Sequence, residues 1–302
     1  MANSSRRRTR AILRAAWSTL RRDPALLWFS AFIAVATSAV VATSAVLGWL
    51  GVRAAVLALG VEASGALETS IDTRATLGMG LFAWFGLHLV APFFGVAAAS
   101  ATLEALAGRR WTVAGALGCA LQRSGAIATF AVLDASVGAL LARMRGGRRE
   151  RGGKRPRREG HPLAAKLLGA AWWAATYLAV PVMAREQRGG VAAVQRSGTI
   201  MRETWKEAFL GRLVLGWVLW PVAIVAVLGT VGVCLLLGLT PDTHVASFAI
   251  AAAVAVVAIA VVAAVLQTLD TIYRCALYVF ATEGVVPEPF DDAELQEIWH
   301  SA

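Results

Sequence analysis

Five ionisable side chains lie within or at the edge of long apolar stretches of this 302-residue sequence: His88, Asp134, Arg212, Asp270 and Arg274. An ionisable group surrounded by hydrocarbon is costly, and one retained there marks a functional site by default. His88 would serve as a proton relay if a carboxylate stood opposite it across a helical bundle, and Asp134 is the carboxylate available for that role. The bland alternative for both is a side chain held by hydrogen bonds inside the bundle. Asp270 and Arg274 are four residues apart, so they share one helical face and can neutralise each other. Arg212 is near enough to a span end for its side chain to reach the headgroups.

Other chemistries lack their residues. There is no His-Glu-x-x-His pair for zinc, no glycine loop ending in Gly-Lys-Ser/Thr for phosphate, and no Cys-x-x-Cys. Cys119, Cys234 and Cys275 are widely spaced in or beside apolar segments, which suggests neither a disulfide framework nor a metal site. The sequence therefore predicts no catalytic residue, no metal and no cofactor.

The elements that position the ionisable groups follow from composition. Hydrophobic residues make up 58% of the chain and charged residues 16%, a balance outside the range of soluble domains. About 20 apolar residues cross a hydrocarbon core, so intervals without charge mark the spans. Pro24 to Val52, Ala75 to Leu103, Leu213 to Pro241 and Val245 to Leu269 contain no Asp, Glu, Lys or Arg. Leu167 to Ala184 is a fifth span, with Trp172, Trp173 and Tyr177 as aromatics of the kind found at membrane interfaces. Ser124 to Ala142 is a sixth, crossing despite Asp134. The expected fold is an all-α polytopic bundle of about six spans forming a single membrane domain over residues 1–302.

Three further stretches read as interfacial amphipathic helices. In the first, Arg7, Arg10, Arg14 and Arg21 share one face, Leu13, Ala16 and Leu20 the other, and Trp17 sits at the boundary. Asp23-Pro24 marks the break before the first span. The second runs from about Arg110 to Arg123 and the third from about Gly190 to Glu207. Each contains the tetrapeptide Gln-Arg-Ser-Gly, at 122–125 and 195–198. This suggests repeat units 6–103, 110–184 and 190–280, each an interfacial helix followed by a two-span hairpin.

Charge sets the orientation. Residues 1–23 hold seven Arg against one Asp, which favours a cytoplasmic N-terminus. Residues 143–161 carry nine Lys or Arg and several Gly, a disordered basic loop that six-span alternation puts outside, against the usual charge bias. Five spans would put it inside; the repeat and the basic 185–212 region favour six. Residues 283–302 form a short acidic tail.

Trp17-Ser18-Thr19-Leu20-Arg21-Arg22-Asp23-Pro24, Ala179-Val180-Pro181-Val182, Arg202-Glu203-Thr204-Trp205-Lys206-Glu207 and Ile272-Tyr273-Arg274-Cys275-Ala276-Leu277-Tyr278 resemble segments of an uncharacterised family of bacterial integral membrane proteins, a domain of unknown function. The resemblance runs over nearly the whole chain. It implies a six-span protein of the bacterial inner membrane and carries over no site residue.

Two functional readings follow. In the first, the protein binds anionic lipid headgroups or partner proteins through its basic helices, with Arg7, Arg10, Arg14 and Arg21 as lipid contacts; the net charge of +10 then reflects headgroup attraction rather than nucleic acid, because the basic residues cluster beside spans. In the second, it is a small-solute transporter or channel-like protein using His88, Asp134, Asp270 and Arg274 as a polar path.

Overall fold

The computed structural model describes residues 2–59, 65–145, 162–202 and 245–290. Within them the chain is helical and contains no strand: α1 (Ala2–Arg22), α2 (Leu27–Leu59), α3 (Gly65–Leu106), α4 (Val113–Gln122), α5 (Ser124–Arg145), α6 (Pro162–Thr176), α7 (Ala179–Glu186), α8 (residues 190–202) and α9 (Val245–Glu283). Among the described residues, five stretches are long and apolar enough to cross a membrane: Pro24–Ser44, Ala83–Leu106, Ser124–Arg145, Leu163–Glu186 and Val257–Glu283. The chain is thus an all-α helical bundle and a multi-pass membrane protein. Each of these stretches overlaps a span expected from the charge-free intervals or, for Ser124–Arg145, from its apolar character. The interval 213–241, Arg212, residues 146–161 of the basic loop, residues 203–207 of the third amphipathic stretch and residues 291–302 of the acidic tail lie outside the described residues.

The chain forms two compact units. The first is drawn from residues 1–31, 97–116 and 199–302, and the second from 32–96 and 117–198.

In the first unit α1 buries a stripe of Ala11, Ile12, Ala15, Ala16, Thr19 and Leu20. The helix packs against α9 and the short 3-10 turn Glu288–Phe290, whose Phe290 is fully buried. The expected basic amphipathic helix is therefore present, but protein covers its apolar face. Leu13, expected on that face with Ala16 and Leu20, is only half-buried and lies beside Arg14. The helix ends where expected: Asp23 leaves helical geometry, and Pro24, which has no N–H to offer, starts a 3-10 turn into α2. Ser30 on α2 hydrogen-bonds Thr268 on α9 at 2.8 Å. Because the Thr268 hydroxyl already donates to the Ala264 carbonyl, Ser30 is the donor. The Cys275 thiol faces the Ala99 carbonyl of α3 at 3.8 Å, so it acts as a small core residue.

The second unit carries the broken span α6–α7. Pro181 cannot donate to the Tyr177 carbonyl, and the helix opens at Tyr177 and Leu178. Buried Ser197 of α8 compensates by accepting the Leu178 N–H at 3.0 Å. The end of α7 is closed by basic side chains, which suit the negative pole of a helix. Arg123 donates to the Ala184 carbonyl at 2.8 Å, and Arg196 reaches Glu186 at 3.3 Å. The arginines of the two Gln-Arg-Ser-Gly segments thus serve the same helix end. Gly190 lets α8 start directly against α5: a Cβ there would stand 2.5 Å from the Ala126 oxygen and the Phe130 nitrogen.

Candidate functional site

The site is in the second unit, where α3, α5 and α6 meet. The buried residues of α5 are Ile127, Phe130, Ala131 and Ala135, a repeat of three and four that turns one face inward. Asp134 adjoins that stripe. Gly138, one turn further on, brings α5 against α3: a Cβ built on it would lie 3.7 Å from His88 Nε2 and from the Trp84 ring.

Two hydrogen bonds fix the cluster, and one facing pair is left between them. Trp172 of α6 donates its indole Nε1–H to Asp134 Oδ1 at 2.8 Å. His88 Nε2 faces the other carboxylate oxygen, Oδ2, at 3.9 Å. His88 Nδ1 is 2.7 Å from the Trp84 carbonyl, which can only accept, so Nδ1 carries a proton. The Trp84 and His88 rings pack with centroids 4.6 Å apart, which fixes the imidazole further.

The geometry sets an imidazole nitrogen opposite a carboxylate oxygen. With Nδ1 protonated, a neutral imidazole turns the lone pair of Nε2 toward an ionised carboxylate, and the two repel. One proton, on Nε2 or on the carboxylate, converts the repulsion to attraction. The separation of 3.9 Å exceeds a direct hydrogen bond. Pro92 sits inside α3. It lies one turn beyond His88 and cannot donate to the His88 carbonyl, which breaks the hydrogen-bond ladder beside the site.

The structure brings His88 of α3 and Asp134 of α5, named from the sequence as candidate polar-site residues, to 3.9 Å. Asp270 and Arg274, expected to pair with each other, do so within α9 and belong to the first unit. Arg14 and Arg21 are exposed on α1, also in the first unit. Arg7 and Arg10 continue the same register along that helix. Just beyond the end of the Ala83–Leu106 span, Arg109 donates from Nη2 to Glu104 Oε1 at 3.0 Å, and this contact raises its guanidinium above an already high ordinary value, so Arg109 stays charged. Among the described residues no three His, Cys, Asp or Glu side chains gather as metal ligands.

Sequence reasoning missed Trp84, Pro92 and the role of Trp172. Trp172, Trp173 and Tyr177 were expected at the membrane interface. Instead the Trp172 indole binds Asp134, while Tyr177 is buried with its ring 5.0 Å from that of Trp173. The available signal was that a tryptophan N–H and a carboxylate on neighbouring apolar helices each need a partner.

Residues 77–287, most of the chain, match the model of a family described as a family of unknown function, DUF6159. No curated protein and no solved structure matches the chain.

Proposed function

The chain belongs to that family of unknown function, and from its own chemistry we propose that it is a small-solute transporter that exchanges a proton at the His88–Asp134 pair. One observation carries this reading: His88 Nε2 and the Asp134 carboxylate face each other 3.9 Å apart on two apolar helices. A membrane span keeps an acid opposite a base at a cost of a few kcal/mol on insertion scales, and gaining and losing a proton is what such a pair does best. Trp172 anchors one carboxylate oxygen and leaves the other to the imidazole.

In this reading the protein is a six-span protein of the bacterial inner membrane, five of the spans lying among the described residues. Its N-terminus is cytoplasmic, as the arginines of residues 1–23 favour. It works without a cofactor and carries out no covalent chemistry.

The test is uptake of a panel of radiolabelled amino acids, polyamines and monovalent cations into liposomes holding the full chain, under an imposed proton gradient. Gradient-dependent uptake of at least one solute, lost in Asp134→Asn and restored in Asp134→Glu, supports the reading. No uptake for any solute, or uptake unaffected by Asp134→Asn, sinks it.

A further inference from the structure

The exposed face of α1 is independent of the His88–Asp134 pair and has chemistry of its own. Trp17 is 41% exposed, and Arg21 lies with its guanidinium carbon 5.6 Å from the Trp17 ring centroid. Arg14 is exposed three residues before Trp17 and Arg21 follows it by four, so the three side chains share one helical face. Leu13, Arg14 and Trp17 of α1, together with Leu269 of α9, line an open depression of about 420 Å³. Trp28, at the start of the first apolar span, is 58% exposed.

Charge complementarity sets the occupant of this face. Arg22 is engaged by Glu288 at 3.7 Å, whereas no carboxylate among the described residues pairs with Arg14 or Arg21. Two guanidiniums flanking an indole present planar donors suited to a phosphate oxygen. Leu13, Trp17 and Leu269 beside them offer an apolar floor for the first carbons of an acyl chain. A tryptophan with one apolar side and one wet side is typical of headgroup depth.

We infer that this face is a binding site for an anionic phospholipid, with Arg14 and Arg21 on the headgroup phosphate and Leu13, Trp17 and Leu269 against the chain. Because α1 is packed on α9 and on the Glu288–Phe290 turn, a bound lipid would hold the cytoplasmic helix to the last span. The site differs from simple surface adsorption, since the apolar stripe of α1 is already covered by protein and only this ridge remains for lipid.

The test is native mass spectrometry of the full chain in detergent, titrated separately with palmitoyl-oleoyl phosphatidylglycerol and palmitoyl-oleoyl phosphatidylcholine. The wild type is expected to bind the phosphatidylglycerol preferentially, and Arg14→Gln/Arg21→Gln to weaken that binding about tenfold or more with phosphatidylcholine unchanged. Arg14→Lys/Arg21→Lys is expected to recover part of it, and circular dichroism of each variant checks that the helices are intact. Inorganic phosphate at the concentration of the lipid is expected to displace nothing. A preference that survives Arg14→Gln/Arg21→Gln, or displacement by phosphate alone, overturns the inference. So does a preference that appears only when Asp291, Asp292, Glu294 and Glu297 are neutralised, since that assigns the face to the chain's own acidic tail.

Discussion

Replacing Trp172 by Phe and Asp134 by Leu, singly and together, measures how strongly the tryptophan hydrogen bond ties α6 to α5. The bond is 2.8 Å long, within the range of a good N–H to oxygen contact, and its acceptor is a carboxylate. A hydrogen bond to a charged group contributes about 1.5–3 kcal/mol in water-soluble proteins. Helices already inserted in lipid find other partners when a bond is lost, and interhelical bonds there average about 0.6 kcal/mol with a maximum near 1.7. The expected coupling is thus about 1 kcal/mol. Trp172→Phe alone should cost about 1–2 kcal/mol, because Asp134 Oδ1 is left without its donor. In the Asp134→Leu background the same substitution should cost almost nothing beyond its change in packing. Unfolding by dodecyl sulfate in mixed micelles, followed by circular dichroism, reads all four corners of the cycle. A coupling below about 0.3 kcal/mol, the scatter expected of independent sites, would refute the claim that this bond organises the cluster.

Two other outcomes follow from the same structure. Gly190→Ala should destabilise by about 1–3 kcal/mol, because the new methyl meets backbone atoms of α5 at 2.5 Å and α8 must retreat. Gly189→Ala, with nothing within 4 Å, should stay within about 0.5 kcal/mol in the same unfolding assay, and equal effects at the two positions would contradict the packing described. A single cysteine at Gly147 or Gly152, in a chain whose Cys119, Cys234 and Cys275 have been replaced, should be labelled by an impermeant maleimide from outside intact cells. Protection that disappears on permeabilisation would put the basic loop inside and exclude six-span topology.

Four of the five described spans were legible because the sequence property that marks them, a long interval without charge, is the same property that lets a helix cross a membrane; Ser124–Arg145 holds Asp134 and had to be read from its apolar residues. His88 and Asp134 were legible as ionisable groups in apolar stretches, with Asp134 named as a carboxylate that a relay at His88 would need; their approach to 3.9 Å depends on how α3 and α5 face each other. The rest depended on which faces meet. Trp172 looks like an interfacial aromatic until α6 turns it toward α5. The periodicity of α1 separates a basic face from an apolar one, but it cannot say whether lipid or protein covers the apolar side. Here α9 and Phe290 do, and Leu13 stays half-buried at the edge of the covered stripe. Pro92 was invisible as a site residue because its effect is on the carbonyl of a residue one turn away.

The central claim, that His88 binds the Trp84 carbonyl through Nδ1 and turns Nε2 toward Asp134, is tested most directly by nitrogen-15 solid-state NMR of the histidine side chains in lipid, with His88→Gln used to assign His88 among the four histidines. The account predicts that the neutral His88 ring holds its proton on Nδ1 and that Asp134→Asn changes the signal of Nε2 while leaving that of Nδ1 in place. A neutral His88 ring with its proton on Nε2 and a bare Nδ1, unchanged by Asp134→Asn, would contradict it.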